Sequence, residues 1–239
     1  MSFRLLRFAS LPSTSSYLKE NLLSLPSGTV AYAESQTNGH GRLGRGWSSE
    51  NGGLAFSLLL KEKELLPSLS LLPLLTGAAI SRAFEKEGAK AMIKWPNDVY
   101  IASKKAAGIL LEGMFEGSDF LGVVIGIGVN LNQSSFPEGL ENATSLYLSD
   151  KRKRDPISFL SLLLNELEEA MGKQEEALGY LSSHDFLAGK EICLDYYGEG
   201  LSGLARGIDG QGRLLLQLEN GAIKKVSSGE ATLHPKDKK

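Results

Sequence analysis

Residues 121–131 read LGVVIGIGVNL. The run carries no charge and is built mainly of β-branched residues and glycine. β-branched side chains sit well on a pleated strand, and glycine weakens a helix. The stretch is therefore a long apolar strand. Gly126 and Gly128 lie inside it, where glycine often marks close approach of a ligand or another backbone. Leu54–Leu60, LAFSLLL, reads as a second strand with both faces largely buried.

Helical periodicity separates such strands. Thr14–Leu23 sets Tyr17, Leu18, Leu22 and Leu23 at helical spacing behind serine and threonine caps. Ser70–Glu87 is a helix with Pro73 in its first turn and Gly88 as its stop. Asp155-Pro156 opens an amphipathic helix, ISFLSLLLNELEEAMG, and a shorter one runs near Gln174–Leu181. Thr29–Glu34, Ala91–Trp95, Val99–Ala102 and Ala107–Glu112 are further strands, with Asn97-Asp98 and Ser103-Lys104 as turns. From about Gly189 short β-type runs alternate with glycine turns, the pattern of a small β-barrel. The expected domains are residues 1–185 and 186–239.

Composition narrows the partners. With 239 residues and a net charge of -2, the chain lacks the basic excess that holds DNA. Its one cysteine, Cys193, forms no internal disulfide, which fits a reducing compartment. His40, His184 and His234 are too far apart for a zinc-type motif. The most apolar stretch, Leu65–Ile80, is broken by Pro67 and Pro73 and falls short of the roughly 20 residues that span a bilayer. The N-terminus MSFRLLRFASLPS is too short and interrupted for a secretory signal. A soluble cytoplasmic protein with no DNA and no membrane partner is expected. Lys151–Arg154, KRKR, reads as a solvated loop before a helix.

The stretch NGHGRLGRGWSS contains Gly39, Gly41 and Gly44 in the spacing G-x-G-x-x-G. A dinucleotide-binding turn requires a helix to begin at the third glycine. Here RGWSSENGG follows, a poor helix start, so the spacing is a coincidence. Two readings stand. The loop is a flexible connection, or Arg42, Arg45 and bare glycine N–H groups converge on an anion while Trp47 covers a flat ring. In KWPNDVY, Lys94, Asn97 and Asp98 surround a proline, which is a tight turn or a polar cluster. In KKAAGILLEG, Lys105 stands at the mouth of an apolar strand, as an edge charge or a phosphate-binding lysine. Asn130 and Asn132 share a strand face, as a polar strand end or as amides that read a base or sugar.

No G-x-S-x-G elbow is present, and no histidine lies near a candidate nucleophile. The chemistry on offer is phosphate and carboxylate handling by arginine and lysine. That fits adenylation, in which a carboxylate attacks the α-phosphate of ATP and like charges must be neutralised.

Several motifs then occur in order: Gly39–Trp47, Lys94–Asp98, Lys105–Leu110, Gly126–Asn130, the early Ser13-Thr14-Ser15 and the late Ser228-Gly229-Glu230. Together they resemble the biotin–protein ligases, the biotin–[acetyl-CoA-carboxylase] ligases. The resemblance covers nearly the whole chain. It implies an α+β fold: a mixed, largely antiparallel sheet with packed helices, like the class II synthetase and biotin ligase catalytic domain, followed by a small SH3-like β-barrel. It implies biotin and MgATP as substrates and biotinyl-5'-AMP as intermediate. The partner would be the biotin carboxyl carrier domain of acetyl-CoA carboxylase, modified on one lysine. A homodimer is compatible with the family. The start of the chain leaves no room for the winged helix of the family's repressors, so a monofunctional ligase is expected.

By motif position, the resemblance implies that Ser13, Thr14, Ser15 and Gln36 contact the biotin head group. Gly39, His40, Gly41, Gly108 and Gly126 line its path. Arg42, Arg45 and Lys105 hold carboxylate and α-phosphate, with Lys105 the main electrostatic catalyst. Trp47, Asn97, Asn130 and Asn132 serve the nucleotide, and Asp98 orients the acceptor lysine or assists its deprotonation. His40 and Ser15 depart from the family's arginine and asparagine. Lipoate or octanoate ligases and transferases, and a non-catalytic relative, are the alternatives. The intact arginines and Lys105 argue against the last.

Overall fold

The computed structural model describes residues 2–47, 52–196 and 198–233. The end of the glycine–arginine loop at 48–51, His234 and the basic C-terminal tail lie outside them. A seven-stranded sheet is built from β1 (Arg4–Leu11), β2 (Thr29–Gln36), β3 (Leu54–Leu60), β4 (Ala91–Lys94), β5 (Asp98–Ile101), β6 (Lys104–Glu116) and β7 (Asp119–Val129). Their spatial order is β1-β2-β3-β7-β6-β5-β4. Only β1 and β2 run parallel; every other neighbour is antiparallel. The mixed, largely antiparallel sheet is thus present.

β7 explains why the sheet needs cover on both faces. Its side chains alternate, so Val123, Ile125, Ile127 and Val129 point to one face and Val124 to the other. The first face is covered by α2 (Leu72–Lys86) and α4 (Pro156–Gly172), which supply Leu75, Ile80, Phe84, Phe159 and Leu163 to the main core. The second face receives α1 (Thr14–Glu20), whose Leu18 packs with Ala31, Leu59 and Val124. The helix starts follow the sequence. Ser13 caps α1 and Asp155 caps α4, accepting from the N–H of Ser16 and Ser158, with Pro156 as the first residue of α4.

Several local expectations are corrected. The β4–β5 turn is Trp95-Pro96-Asn97, with a cis Trp95–Pro96 bond, and Asp98 already belongs to β5. The β5–β6 turn is Ala102-Ser103; both have positive φ, so the connection is a two-residue hairpin and Lys104 begins β6. β1 and the short α3 (Leu146–Asp150) had no clear sequence signal. β7 stops at Val129, so Asn130 and Asn132 lie beyond the strand. In the basic run, Lys151, Arg152 and Lys153 are exposed, but Arg154 is buried. Its guanidinium meets Asp150 and Glu87, so only part of the run is a solvated loop.

After α5 (Gln174–Ser183) the chain is fastened to the edge of the large sheet. Ile93 N donates to His184 O at 2.7 Å and Phe186 N to Ile93 O at 2.8 Å. Five further strands follow: β8 (Glu191–Tyr196), β9 (Glu199–Ile208), β10 (Leu214–Gln217), β11 (Ile223–Val226) and β12 (Glu230–Leu233). They form an antiparallel sheet in the order β11-β10-β9-β8-β12, whose edge strands β11 and β12 share no ladder among the described residues. This sheet packs on the first unit through one cluster containing Leu74, Ile93, Trp95, Leu187, Leu194 and Leu216. The Trp95 indole donates to Gly212 O at 3.0 Å. Among the described residues no helix is long and apolar enough to cross a membrane.

Candidate active site

The same alternation that buries β7 opens a cavity. On the α1 face of the sheet, Val124 is followed by Gly126 and Gly128, and these stand opposite Leu110 and Gly108 of β6. Ser57 of β3 pairs with Gly126, and Ala55 with Gly128. Helix α1 covers only the first part of this face. Where the side chains shrink to glycine, alanine and serine, a cavity of about 340 Å³ remains.

One end of the cavity is lined with hydroxyls. Thr14 Oγ1 donates to Gln36 Oε1 at 3.0 Å, and Thr14 N donates to the same oxygen at 2.8 Å. The hydroxyls of Thr14 and Ser15 lie 2.7 and 2.8 Å from Ser57 Oγ. A Cβ at Gly126 would come within 2.7 Å of Ser15 Oγ, so glycine is required for the two elements to meet. Ser57 is fully buried in a run read only as an apolar strand; its single hydroxyl among six apolar residues was the available signal.

The glycine–arginine loop folds over the other end. Trp47 N donates to Gly39 O at 2.9 Å and Gly41 N to Arg45 O at 2.7 Å, so the loop is a small closed hairpin. Residues 42–44 make a single tight 3-10 turn with Leu43 and Gly44 at positive φ, and no helix follows from it in the described part of the loop. The Trp47 ring lies directly on Gly128, where a Cβ would sit 2.1 Å from it. Its indole N–H is buried without a hydrogen-bond partner. Gly108 gives room to Trp47 and to Lys105 together, a Cβ there being 3.1 and 3.2 Å from them.

The loop is tied to two distant segments. Arg42 donates to Asn97 Oδ1 at 3.0 Å and to Gly229 O at 3.1 Å. Asn97 in turn donates to Ile109 O at 2.7 Å. Arg45 makes a bidentate pair with Glu230, whose carboxyl it holds below the usual glutamate range. Glu230 of the Ser228-Gly229-Glu230 motif thus forms part of the cavity wall, although it belongs to the second unit. Glu230 and Lys94 are cavity residues that the site assignment from sequence did not include.

Lys105 Nζ lies 2.7 Å from Asp98 Oδ1 and 5.7 Å from the centre of the Trp47 ring. The ammonium and carboxylate are in contact without hydrogen-bond alignment. Lys94 Nζ reaches Tyr100 OH at 3.3 Å. Burial pushes the Lys94 pKa below the ordinary lysine value, outweighing the pull of Asp98 in the opposite direction. Burial also lifts the Tyr100 phenol to about 12, so it stays neutral and accepts from Lys94. Four cationic side chains, Arg42, Arg45, Lys94 and Lys105, therefore line one cavity with two carboxylates.

Of the three asparagines expected to serve a nucleotide, Asn97 and Asn130 line the cavity. Asn132 faces away: it donates to Arg154 O and accepts from Arg154 N, both at 2.8 Å. His40 lies at the cavity edge, its Nδ1 3.4 Å from Asn38 O. Ser13 serves as the cap of α1 at the same time as it lines the cavity.

Comparison with known proteins agrees with this geometry. Residues 7–130 match the Biotin/lipoate A/B protein ligase family, and residues 189–233 match the Biotin protein ligase C terminal domain. The bifunctional ligase/repressor BirA of Escherichia coli is 33% identical over 95% of this chain and 73% of its own. A biotin–[acetyl-CoA-carboxylase] ligase of Mycobacterium tuberculosis is 33% identical over 85% of this chain and 78% of its own. The structure of a biotin protein ligase from Aquifex aeolicus in complex with biotin and ATP is 35% identical. It superposes with a TM-score of 0.85 over 97% of this chain and 98% of that one. The chain belongs to the biotin/lipoate A/B protein ligase family, on its biotin protein ligase branch.

Proposed function

We propose that this protein is an ATP-dependent biotin–[acetyl-CoA-carboxylase] ligase acting in the cytoplasm. In the first half-reaction a carboxylate oxygen of biotin bonds to the α-phosphorus of ATP. The bond from that phosphorus to the bridging oxygen breaks, and pyrophosphate leaves. In the second, the amine of a carrier-domain lysine attacks the acyl carbon of biotinyl-5'-AMP. An amide forms, the bond to AMP breaks, and the amine releases its proton.

The observation that carries this reading is the division of one cavity into a hydroxyl-lined end and a cationic end. Thr14, Ser15, Ser57 and Gln36 offer donors and acceptors to the polar ring of biotin. A lipoyl or octanoyl group offers no such ring atoms to them and forgoes about 1 kcal/mol for each hydrogen bond not made. Arg42, Arg45 and Lys105 would meet the carboxylate and α-phosphate, where repulsion between two anions has to be offset. Trp47 would lie along the nucleotide, and Asp98 would take the acceptor lysine as Lys105 turns to phosphate. Mg²⁺ would arrive as part of the ATP substrate, held by its phosphates and water. Asp98 and Glu230 are engaged by Lys105 and Arg45, and no three metal-binding side chains cluster among the described residues.

The test is direct. The protein is incubated with a biotin carboxyl carrier domain, ATP and either biotin or lipoate, and the carrier is weighed. One biotinyl group on one lysine is expected, with no lipoyl gain. An unchanged carrier mass with biotin would overturn the assignment.

A further inference from the structure

Helix α1 brings the hydroxyls of Thr14 and Ser15 to the cavity, and an ion pair ties its other end to the sheet. Lys19 Nζ lies 2.7 Å from Glu112 Oε1 of β6. Among the described residues this is the only ion pair between α1 and a strand. The second oxygen, Glu112 Oε2, is closed off from solvent with no hydrogen-bond partner. Lys19 is thus the cation bonded to a half-buried carboxylate, whose charge would stand uncompensated without it.

Helix and sheet match in spacing. Ser15 and Lys19 are one turn apart on α1, about 6 Å of rise. Successive residues on one face of a strand are about 6.6 Å apart. On this face the rungs of β6 and β7 are Leu110–Gly126, Glu112–Val124 and Met114–Gly122. Ser15 stands over Gly126 in the first rung, and Lys19 meets Glu112 in the second. Leu22, just past the helix, lies over the third, its Cδ1 3.4 Å from a Cβ built at Gly122. The apolar contacts of Leu18 and Leu22 are non-directional and would tolerate a helix shifted along this floor. The ion pair joins two particular residues and so fixes the register.

Ligand binding makes this fixed point necessary. Thr14, Ser15, Ser57 and Gln36 bond to one another and so hold α1 to β2 and β3. A polar ring that engages these groups takes those bonds for itself. Lys19 and Glu112 do not line the cavity, so their bond is not exchanged. We propose that Lys19 and Glu112 are positioning residues for biotin. The pair holds α1 in register while Thr14 and Ser15 trade bonds to the sheet for bonds to the ring. Neither residue touches the substrate. This inference rests on the ligase reading and adds to it a determinant of biotin affinity outside the cavity.

The experiment measures the biotin Kd by calorimetry without nucleotide, and the KM for ATP in pyrophosphate release at saturating biotin. The proteins are wild type, Lys19→Met, Glu112→Met, the double variant and Lys19→Arg. Methionine keeps the length at either place and removes the charge. Each single methionine variant should raise the biotin Kd about fivefold. The double variant should be no worse than the weaker-binding single one, because the two side chains act as a unit. Lys19→Arg should bind biotin like wild type. The KM for ATP should stay at its wild-type value throughout, which a general loosening of the fold would not allow. Glu112→Met leaves only a lysine able to turn to water, and it carries the test if Lys19→Met does not fold. A wild-type biotin Kd in Glu112→Met, or an ATP KM that rises in step with the Kd, overturns the role of the pair and leaves the ligase reading standing. If wild type binds no biotin, both fall.

Discussion

Arg45 and Glu230 stand 185 residues apart in sequence and meet as a bidentate ion pair at 2.7 and 3.1 Å. With the bond from Arg42 to Gly229 O, this pair fastens the glycine–arginine loop to the second sheet. The pair is partly exposed, so its direct worth to stability is small, about 1 kcal/mol or less. Its larger effect is on the loop. In Glu230→Ala, tryptic cleavage after Arg42 and Arg45 should quicken several-fold while the melting temperature changes little. Because the Glu230 carboxyl is held below its ordinary pKa, the clasp is complete above the usual glutamate range and is lost only as pH falls beneath it. Cleavage rates that match wild type at neutral pH would show that the clasp does not restrain the loop.

Lys105 is the cation best placed for the adenylation step, with Gly108 opening space beside its ammonium. Lys105→Ala should lower the rate of pyrophosphate release by roughly a hundredfold or more, in line with loss of one aligned electrostatic group. The melting temperature should be close to wild type. Near-normal release in the variant would remove Lys105 from this role.

Gly128 sets the position of Trp47. A methyl group there would sit inside the indole ring, so Gly128→Ala must push Trp47 out of the cavity. Trp95 is buried with its indole bonded to Gly212 O and serves as an internal constant. The tryptophan emission of the variant should shift to the red, and ATP-dependent activity should fall at least about tenfold. Unshifted emission would mean that the sheet, and not the indole, gives way.

Lys94 should impose an alkaline limit on activity. Burial lowers its pKa, so its charge is present at neutral pH and is lost, as pH rises, before an ordinary lysine near 10.4 would lose it. The kcat/KM for ATP should decline through that interval. Lys94→Arg should move the decline upward, since a guanidinium stays charged. An identical profile in both proteins would exclude Lys94 as its source.

Much of this architecture is written locally. Alternation along 121–129 assigns one face of β7 to the core, and glycine at 126 and 128 marks the floor of the cavity, because a strand fixes side-chain direction at a period of two. Asp155-Pro156 starts α4, and the residues after Gly44 argue against a dinucleotide-binding helix, both through backbone sterics spanning a few residues. Motif order brings Arg45 and Glu230 to notice without showing that they touch.

Packing across the chain decides the rest. Ser57 becomes a site residue because the first turn of α1 brings the hydroxyls of Thr14 and Ser15 to it. Arg154 is buried because Glu87, 67 residues away in sequence, meets its guanidinium. Asn132 is spent on the Arg154 backbone. Local patterns record which backbone conformations residues favour. Which polar atoms end up paired depends on neighbours that only the folded chain supplies.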